Sequence, residues 1–164
     1  MTKKIINGGA IVLIILIAAF YYHRYRMAPE MDFNRLELTD LNNAPVKLES
    51  FKGKKQVINF FATWCGPCIR EIIEFGDVQA ILKNENFVFI CISDEPVERL
   101  QGFRERMPQN VLILHSVAKF DGINIYTFPT SYLIGENERV IFKKTGELNL
   151  DADALAAELK QLTH

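Results

Sequence analysis

An apolar run, Gln56–Ala62 (QVINFFA), ends abruptly in Thr63-Trp64-Cys65-Gly66-Pro67-Cys68. A continuous apolar run of this length reads as a strand covered on both faces, as in the middle of a largely parallel sheet. The residues after it cannot continue a strand. Gly66 and Pro67 break the extended chain, and Pro67 suits the first turn of a helix, where its missing N–H costs nothing. Apolar residues Ile69, Ile72, Ile73 and Ala80 then recur at helical spacing, and the sequence predicts a helix from about Pro67 to Lys83. The two cysteines therefore sit at a strand-to-helix junction.

That junction carries chemistry. Unpaired N–H groups and the helix dipole at a helix N-terminus favour a thiolate. Cys65 is the expected exposed nucleophile. Cys68, one turn deeper, is the expected resolving thiol. Gly66 leaves room for a partner backbone. The two cysteines close too short a loop to stabilise the fold much by restricting the unfolded chain. A metal site would need more ligands, and the remaining candidates, Cys91, His23, His115 and His164, stand at no metal-ligand spacing. Cys91 lies inside the apolar run Phe87–Ser93 and reads as a small core residue, with Phe60, Phe61, Phe87 and Phe89. His115 has no partner at useful spacing. Glu71 lies three residues after Cys68, on the same helical face. Desolvation there would make it a proton partner for the thiols.

The rest of the chain alternates strand and helix signals. Asn34–Leu38 and Pro45–Leu48 read as a hairpin turning at Asn42-Asn43-Ala44. Phe87–Ser93 reads as a second buried strand. Asp94-Glu95-Pro96 opens a helix reaching about Arg106, with Pro96 in its first turn. Val111–Leu114 is a short strand, and 117–124 a short helix. Thr130–Ile134 and Arg139–Lys143 flank a Gly135–Glu138 turn, and Asp151 caps a helix over Ala152–Leu162. The pattern predicts an α/β fold, a mixed sheet with helices on both faces.

The N-terminus differs in kind. Lys3 and Lys4 precede Ile5–Tyr22, an uncharged and mostly apolar run. Eighteen helical residues span about 27 Å, close to the ~30 Å hydrocarbon core of a bilayer. Residues 1–26 read as a membrane anchor, 27–34 as a polar linker and 35–164 as the folded domain. A cleaved signal peptide is the alternative, but no small-residue cleavage site is evident. Lys3 and Lys4 on one side nearly balance His23, Arg24 and Arg26 on the other. The N-terminus is expected inside and the catalytic domain outside the cytoplasm because the rest of the chain looks like an extracytoplasmic redox domain, not because of these charges. Of 19 basic residues, four lie in this segment, and the remaining 15 face 20 acidic ones. That balance argues against nucleic-acid binding.

The segment Gln56–Glu71, QVINFFATWCGPCIRE, resembles the active-site segment of the thioredoxin superfamily, and within it the membrane-anchored TlpA/ResA-type thiol-disulfide oxidoreductases. The resemblance extends over roughly residues 33–160. Phe128-Pro129-Thr130 matches the family's cis-proline loop, and Gly146 matches a family glycine. The N-terminal strand pair and the 86–124 stretch resemble the subfamily's additions to the minimal fold. The resemblance implies that Pro129 packs opposite the cysteines and that the Phe128 backbone pairs with substrate like an added strand. It implies substrate contacts from Trp64, Gly66 and Pro67, and catalytic roles for Cys65, Cys68, Glu71 and Pro129. Ordinary thioredoxin places a buried Asp where this chain has Asn59, which moves any proton transfer to Glu71 or water. The expected activity is reduction of protein disulfides, without cofactor or metal. Electrons would come from a membrane donor, and apocytochrome c is a candidate substrate. Oxidation or isomerisation of disulfides and thiol-based metal carriage are the alternatives.

Overall fold

The computed structural model describes residues 2–163, and all side chains among them except those of 2–7, 23–26 and 34. The flanking charges Lys3, Lys4, His23, Arg24 and Arg26, and His164, therefore lie outside the described side chains. A helix, α1 (Thr2–Arg26), precedes the domain. From Ile11 to Ile17 and from Phe20 to Tyr22 its large apolar side chains are exposed. Among the described residues, no helix is long and apolar enough to cross a membrane.

The domain is built on a seven-stranded mixed sheet. In chain order the strands are β1 (Leu38–Thr39), β2 (Pro45–Val46), β3 (Lys55–Phe60), β4 (Phe87–Ser93), β5 (Leu112–Ser116), β6 (Thr130–Ile134) and β7 (Val140–Thr145). Their spatial order is β2-β1-β5-β4-β3-β6-β7. β3 pairs parallel with β4 and antiparallel with β6, so both of its edges are hydrogen-bonded. Three helices complete the domain: α2 (Gly66–Ile81), α3 (Val97–Arg104) and α4 (Ala152–Thr163).

Strand alternation divides the interior in two. Val57 of β3 and Phe61 just beyond it, Phe89 and Cys91 of β4, and Leu133 of β6 face one side. They pack with Ile72 and Phe75 of α2, Leu100 and Phe103 of α3, and Leu155 and Leu159 of α4. Ile58 and Phe60, Ile90 and Ile92, and Tyr132 face the other side. Among the described residues, no α-helix contributes to that second cluster. Single 3-10 turns at Leu48–Phe51 and Phe120–Ile123 cover it, with Ala28, Met31 and Phe33 from the segment after α1. Helices on both faces, the sequence expectation, is thus corrected. The 117–124 stretch supplies one 3-10 turn, because Asn124 adopts a left-handed conformation and ends it. Residues 28–33, within the stretch read as a polar linker, pack on the domain: Tyr132 Oη donates to the Pro29 carbonyl at 2.9 Å, and the Phe33 and Tyr132 rings meet edge to face.

Smaller corrections have local causes. Asn34–Leu38 is not a strand: Phe33–Arg35 forms a 3-10 turn, and only Leu38–Thr39 pairs, between Pro45–Val46 and β5. Likewise Leu48 opens a 3-10 turn instead of extending β2. β3 stops at Phe60, since Ala62 already belongs to the turn into α2. Pro96 is the N-cap of α3 rather than a first-turn residue, and the helix ends at Arg104. Arg104 curls there to donate to the Pro108, Gln109 and Val111 carbonyls. Asp151 does cap α4, its Oδ1 accepting the Ala154 N–H at 2.9 Å. Cys91 and Phe60, Phe61, Phe87 and Phe89 are core residues, as expected.

Gly76 shows how closely α2 packs. A Cβ there would lie 2.5 Å from Pro108 Cβ and 2.6 Å from its Cγ. Alanine gains about 0.5–1 kcal/mol of helix propensity over glycine, but overpacking costs typically ~1–3 kcal/mol. Gly76→Ala is expected to destabilise the full chain by about 1–2 kcal/mol, read as a lower urea midpoint at unchanged slope; an unchanged or higher midpoint contradicts this packing.

Candidate active site

Three adjacent elements build the site. β3 runs to Phe60, and a tight turn closed by the Cys65 N–H donating to the Ala62 carbonyl at 3.0 Å reverses the chain into α2. Cys65 is the N-cap of α2, with extended backbone, and Pro67 occupies the first turn. Cys65 and Cys68 form a disulfide, with Cα atoms 5.3 Å apart. The Cys68 N–H points at Cys65 Sγ, 3.3 Å away. Cys65 is 6% exposed and Cys68 0%. Only Cys65 meets solvent.

Two aromatic side chains flank the pair. Trp64 is 71% exposed, so it is not a core residue. Its ring meets Phe128 edge to face, with centroids 6.0 Å apart. Phe128–Pro129 is a cis peptide bond at the head of β6. The Pro129 carbonyl accepts the Gly146 N–H at 2.8 Å, and Gly146 adopts φ +89°, which glycine takes without penalty. A Cβ on Gly66 would meet only the end of the Arg70 side chain, at 3.9 Å, so the helix start is open to an approaching backbone.

One turn after Cys68 on α2 lies a buried carboxylate. Glu71 is 4% exposed, not a solvated helix charge. Its Oε2 accepts from Asn59 Nδ2 at 2.6 Å, and its Oε1 accepts the Leu148 N–H at 2.9 Å. Asn59 Nδ2 also donates to Ser131 Oγ at 2.9 Å. β3 and β6 pair Asn59 with Ser131, and β3 and β4 pair Asn59 with Cys91. Burial pushes the Glu71 carboxyl up to about 7. The Leu148 N–H and the Asn59 amide act against that shift, Glu147 adds to it, and Lys144 opposes it. Glu71 also lines a cleft of about 270 Å³ beside Glu74, Glu147 and Asp151. Burial and the Glu71 charge push the Cys91 thiol well up, which keeps it protonated and inert.

The structure thus gathers Cys65, Cys68, Trp64, Gly66, Pro67, Glu71, Phe128 and Pro129 around one strand-to-helix junction. His115 is elsewhere, with Nδ1 3.3 Å from Thr39 Oγ1 between β5 and β1. Among the described residues no cluster of three His, Cys, Asp or Glu side chains could hold a metal ion. Sequence reasoning missed Glu95, whose carboxylate grips Thr63. The available signal was its place just beyond β4, the parallel neighbour of β3. It also missed Ser131 and the Leu148 N–H, which no spacing could link to Glu71.

A thioredoxin-like sheet with a closed Cys-Gly-Pro-Cys pair at a helix N-terminus defines the class, thiol-disulfide oxidoreductases. The chain belongs to the Redoxin family, whose sequence profile matches residues 26–159. It is 29% identical over 106 residues to the thiol-disulfide oxidoreductase ResA of Geobacillus kaustophilus, covering 63% of this chain and 61% of that protein. It is 28% identical over 131 residues to ResA of Bacillus thuringiensis subsp. konkukian, covering 77% and 73%. The fold matches a Chlorobium tepidum structure provisionally named thiol:disulfide interchange protein DsbE, with a TM-score of 0.69 at 21% identity, covering 83% of this chain and 99% of that one.

The raised Glu71 carboxyl has a sign in stability. Between the ordinary carboxylate range and about 7, the folded chain holds a proton that the unfolded chain has lost. Stability contributed by this group is full below that window and falls as pH rises through it, at about 1.4 kcal/mol per pH unit. The urea midpoint of the oxidised wild type is expected to drop more between about pH 5 and pH 8 than that of Glu71→Gln; equal drops would exclude the shift.

Proposed function

We propose that the protein reduces disulfides in other proteins, with Cys65 as the attacking thiol and Cys68 as the resolving one. One observation carries the reading: the Cys68 N–H aimed at the more exposed sulfur, Cys65 Sγ, at the start of α2. In the reduced protein this donor and the helix dipole stabilise a Cys65 thiolate. The thiolate attacks one sulfur of a substrate disulfide. A mixed disulfide forms, and the first substrate sulfur leaves as a thiolate. Cys68, deprotonated, then attacks Cys65 Sγ and expels the second substrate thiolate. Two electrons pass to the substrate, whose thiolates take up protons, and Cys65–Cys68 closes.

Glu71 is the proposed acceptor of the Cys68 proton. A carboxyl near neutrality can take and return a proton at working pH. The adjoining cleft offers a route to solvent. Asn59 holds this carboxylate and has no proton of its own to transfer. Trp64 and Phe128 form the proposed ledge for an extended substrate segment, with cis-Pro129, Gly66 and Pro67 around the sulfurs. The exposed apolar side chains of α1 support membrane tethering through residues 5–22, with the domain outside the cytoplasm. A membrane donor then returns two electrons to the Cys65–Cys68 disulfide. Cytochrome c maturation, with oxidised apocytochrome c as substrate, is the role implied by likeness to TlpA/ResA-type proteins.

Two measurements test the reading. Cys68→Ser in the full chain is expected to accumulate mixed disulfides through Cys65 in the membrane fraction, and Cys65→Ser none; no adducts in either would end the proposal. The Gly-Pro spacer is shared with thioredoxin, near −270 mV, rather than with DsbA, near −120 mV. The Cys65–Cys68 couple is expected below about −200 mV, and a value above about −150 mV would reverse the direction of electron flow.

A further inference from the structure

Glu95 stands two residues beyond β4, at the carboxyl edge of the sheet. Its side chain is only 12% exposed. Oε2 accepts the Thr63 backbone N–H at 2.5 Å, and Oε1 accepts the Thr63 hydroxyl at 3.0 Å. Ser93 Oγ lies 3.4 Å from Oε2, and Arg99 Nη1 donates to Oε1 at 3.4 Å. The Glu95 N–H in turn donates to Ser93 Oγ at 3.3 Å, which steadies the residue from behind. Its own helix makes no use of the carboxylate as a cap: α3 starts after Pro96, and no side-chain cap bond is made there.

The gripped residue has a special place. Thr63 is the second residue of the turn from Ala62 to Cys65 that joins β3 to α2. Trp64 and Cys65 follow it directly. A bidentate carboxylate on both donors of one residue fixes that residue in position and orientation. Holding Thr63 to the end of β4 fixes where Cys65 Sγ sits over the Cys68 N–H. It also fixes the Trp64 backbone, whose ring meets Phe128. In the oxidised protein the disulfide itself restrains Cys65. In the reduced protein that restraint is gone, and the turn, with the start of α2, must place the sulfur.

We propose that Glu95 is a positioning residue for the dithiol: by gripping Thr63 through its N–H and its hydroxyl, it locks the Ala62–Cys65 turn and keeps the reduced Cys65 sulfur on the Cys68 N–H. This rests on the reading of Cys65 as the attacking thiol. Glu95 touches neither sulfur and acts through Thr63.

The test is the rate at which iodoacetamide alkylates Cys65 in the reduced full chain at pH 7, with the modified cysteine identified by peptide mass. Glu95→Ala is expected to slow Cys65 by about tenfold, the scale of losing two hydrogen bonds. Glu95→Gln is expected to stay within about twofold of wild type. Its amide oxygen can accept the Thr63 N–H, and its NH₂ can donate to the Thr63 hydroxyl. A Glu95→Ala rate equal to wild type overturns the inference. So does a faster one, which loss of a nearby negative charge alone produces, and so does Glu95→Gln as slow as Glu95→Ala. If Glu95→Ala fails to fold, Thr63→Val, which removes only the hydroxyl contact, takes its place with an expected slowing of about threefold; a wild-type rate there overturns the inference. Alkylation of Cys68 before Cys65 in the wild type overturns the reading of the attacking thiol, and the inference with it. The other outcomes bear on Glu95 alone.

Discussion

β3 is hydrogen-bonded along both edges, parallel to β4 and antiparallel to β6, and the whole site hangs from its carboxyl end. A strand paired on both sides has almost no freedom to slide, because a one-residue slip would turn its buried residues to the wrong face. Val57 and Phe61 are thereby held toward the helices, and Ile58 and Phe60 toward the opposite core. The same constraint sends Asn59 to the helix side, where α2 brings Glu71. It also fixes the point at which the chain leaves the sheet, and so the place of Cys65 at the start of α2.

The neighbouring strands each contribute one restraint to this end of β3. β4 delivers Glu95 to Thr63 on one side. β6, which follows cis-Pro129, carries Ser131 to Asn59 on the other. The segment after β7 closes the arrangement: Gly146 bonds the Pro129 carbonyl, and Leu148 bonds Glu71. Four chain segments distant in sequence thus converge on a few residues around the sulfurs. Burial of Glu71 among them costs desolvation of a charge, which its two donors offset only in part, and its carboxyl titrates near neutrality as a result.

Much of this was legible in advance. The apolar run at 56–62, the helical spacing after Pro67 and the Cys-Gly-Pro-Cys spacer each have a local cause, and β3, α2 and the dithiol stand where those causes put them. Phe128-Pro129 and Gly146 were legible only through likeness to a family, since an X-Pro bond does not declare its isomer. The short N-terminal strands were misplaced because two-residue strands leave no periodicity to read. The second face of the sheet was misread because 3-10 turns and the segment after α1 cover it, and neither carries a helical signal.

By itself, the sequence determined the order of elements, the strand-to-helix junction, the position of both cysteines and the placing of a glutamate one turn below Cys68. These depend on side chains within a few residues of each other. Only the tertiary structure decided that Glu71 is buried and titrates near neutrality, that Asn59 holds it, and that Glu95 grips the turn before Cys65. Each of these depends on which strands lie side by side and in what register. That is settled by packing between residues 12 to about 80 positions apart, beyond the reach of any local pattern.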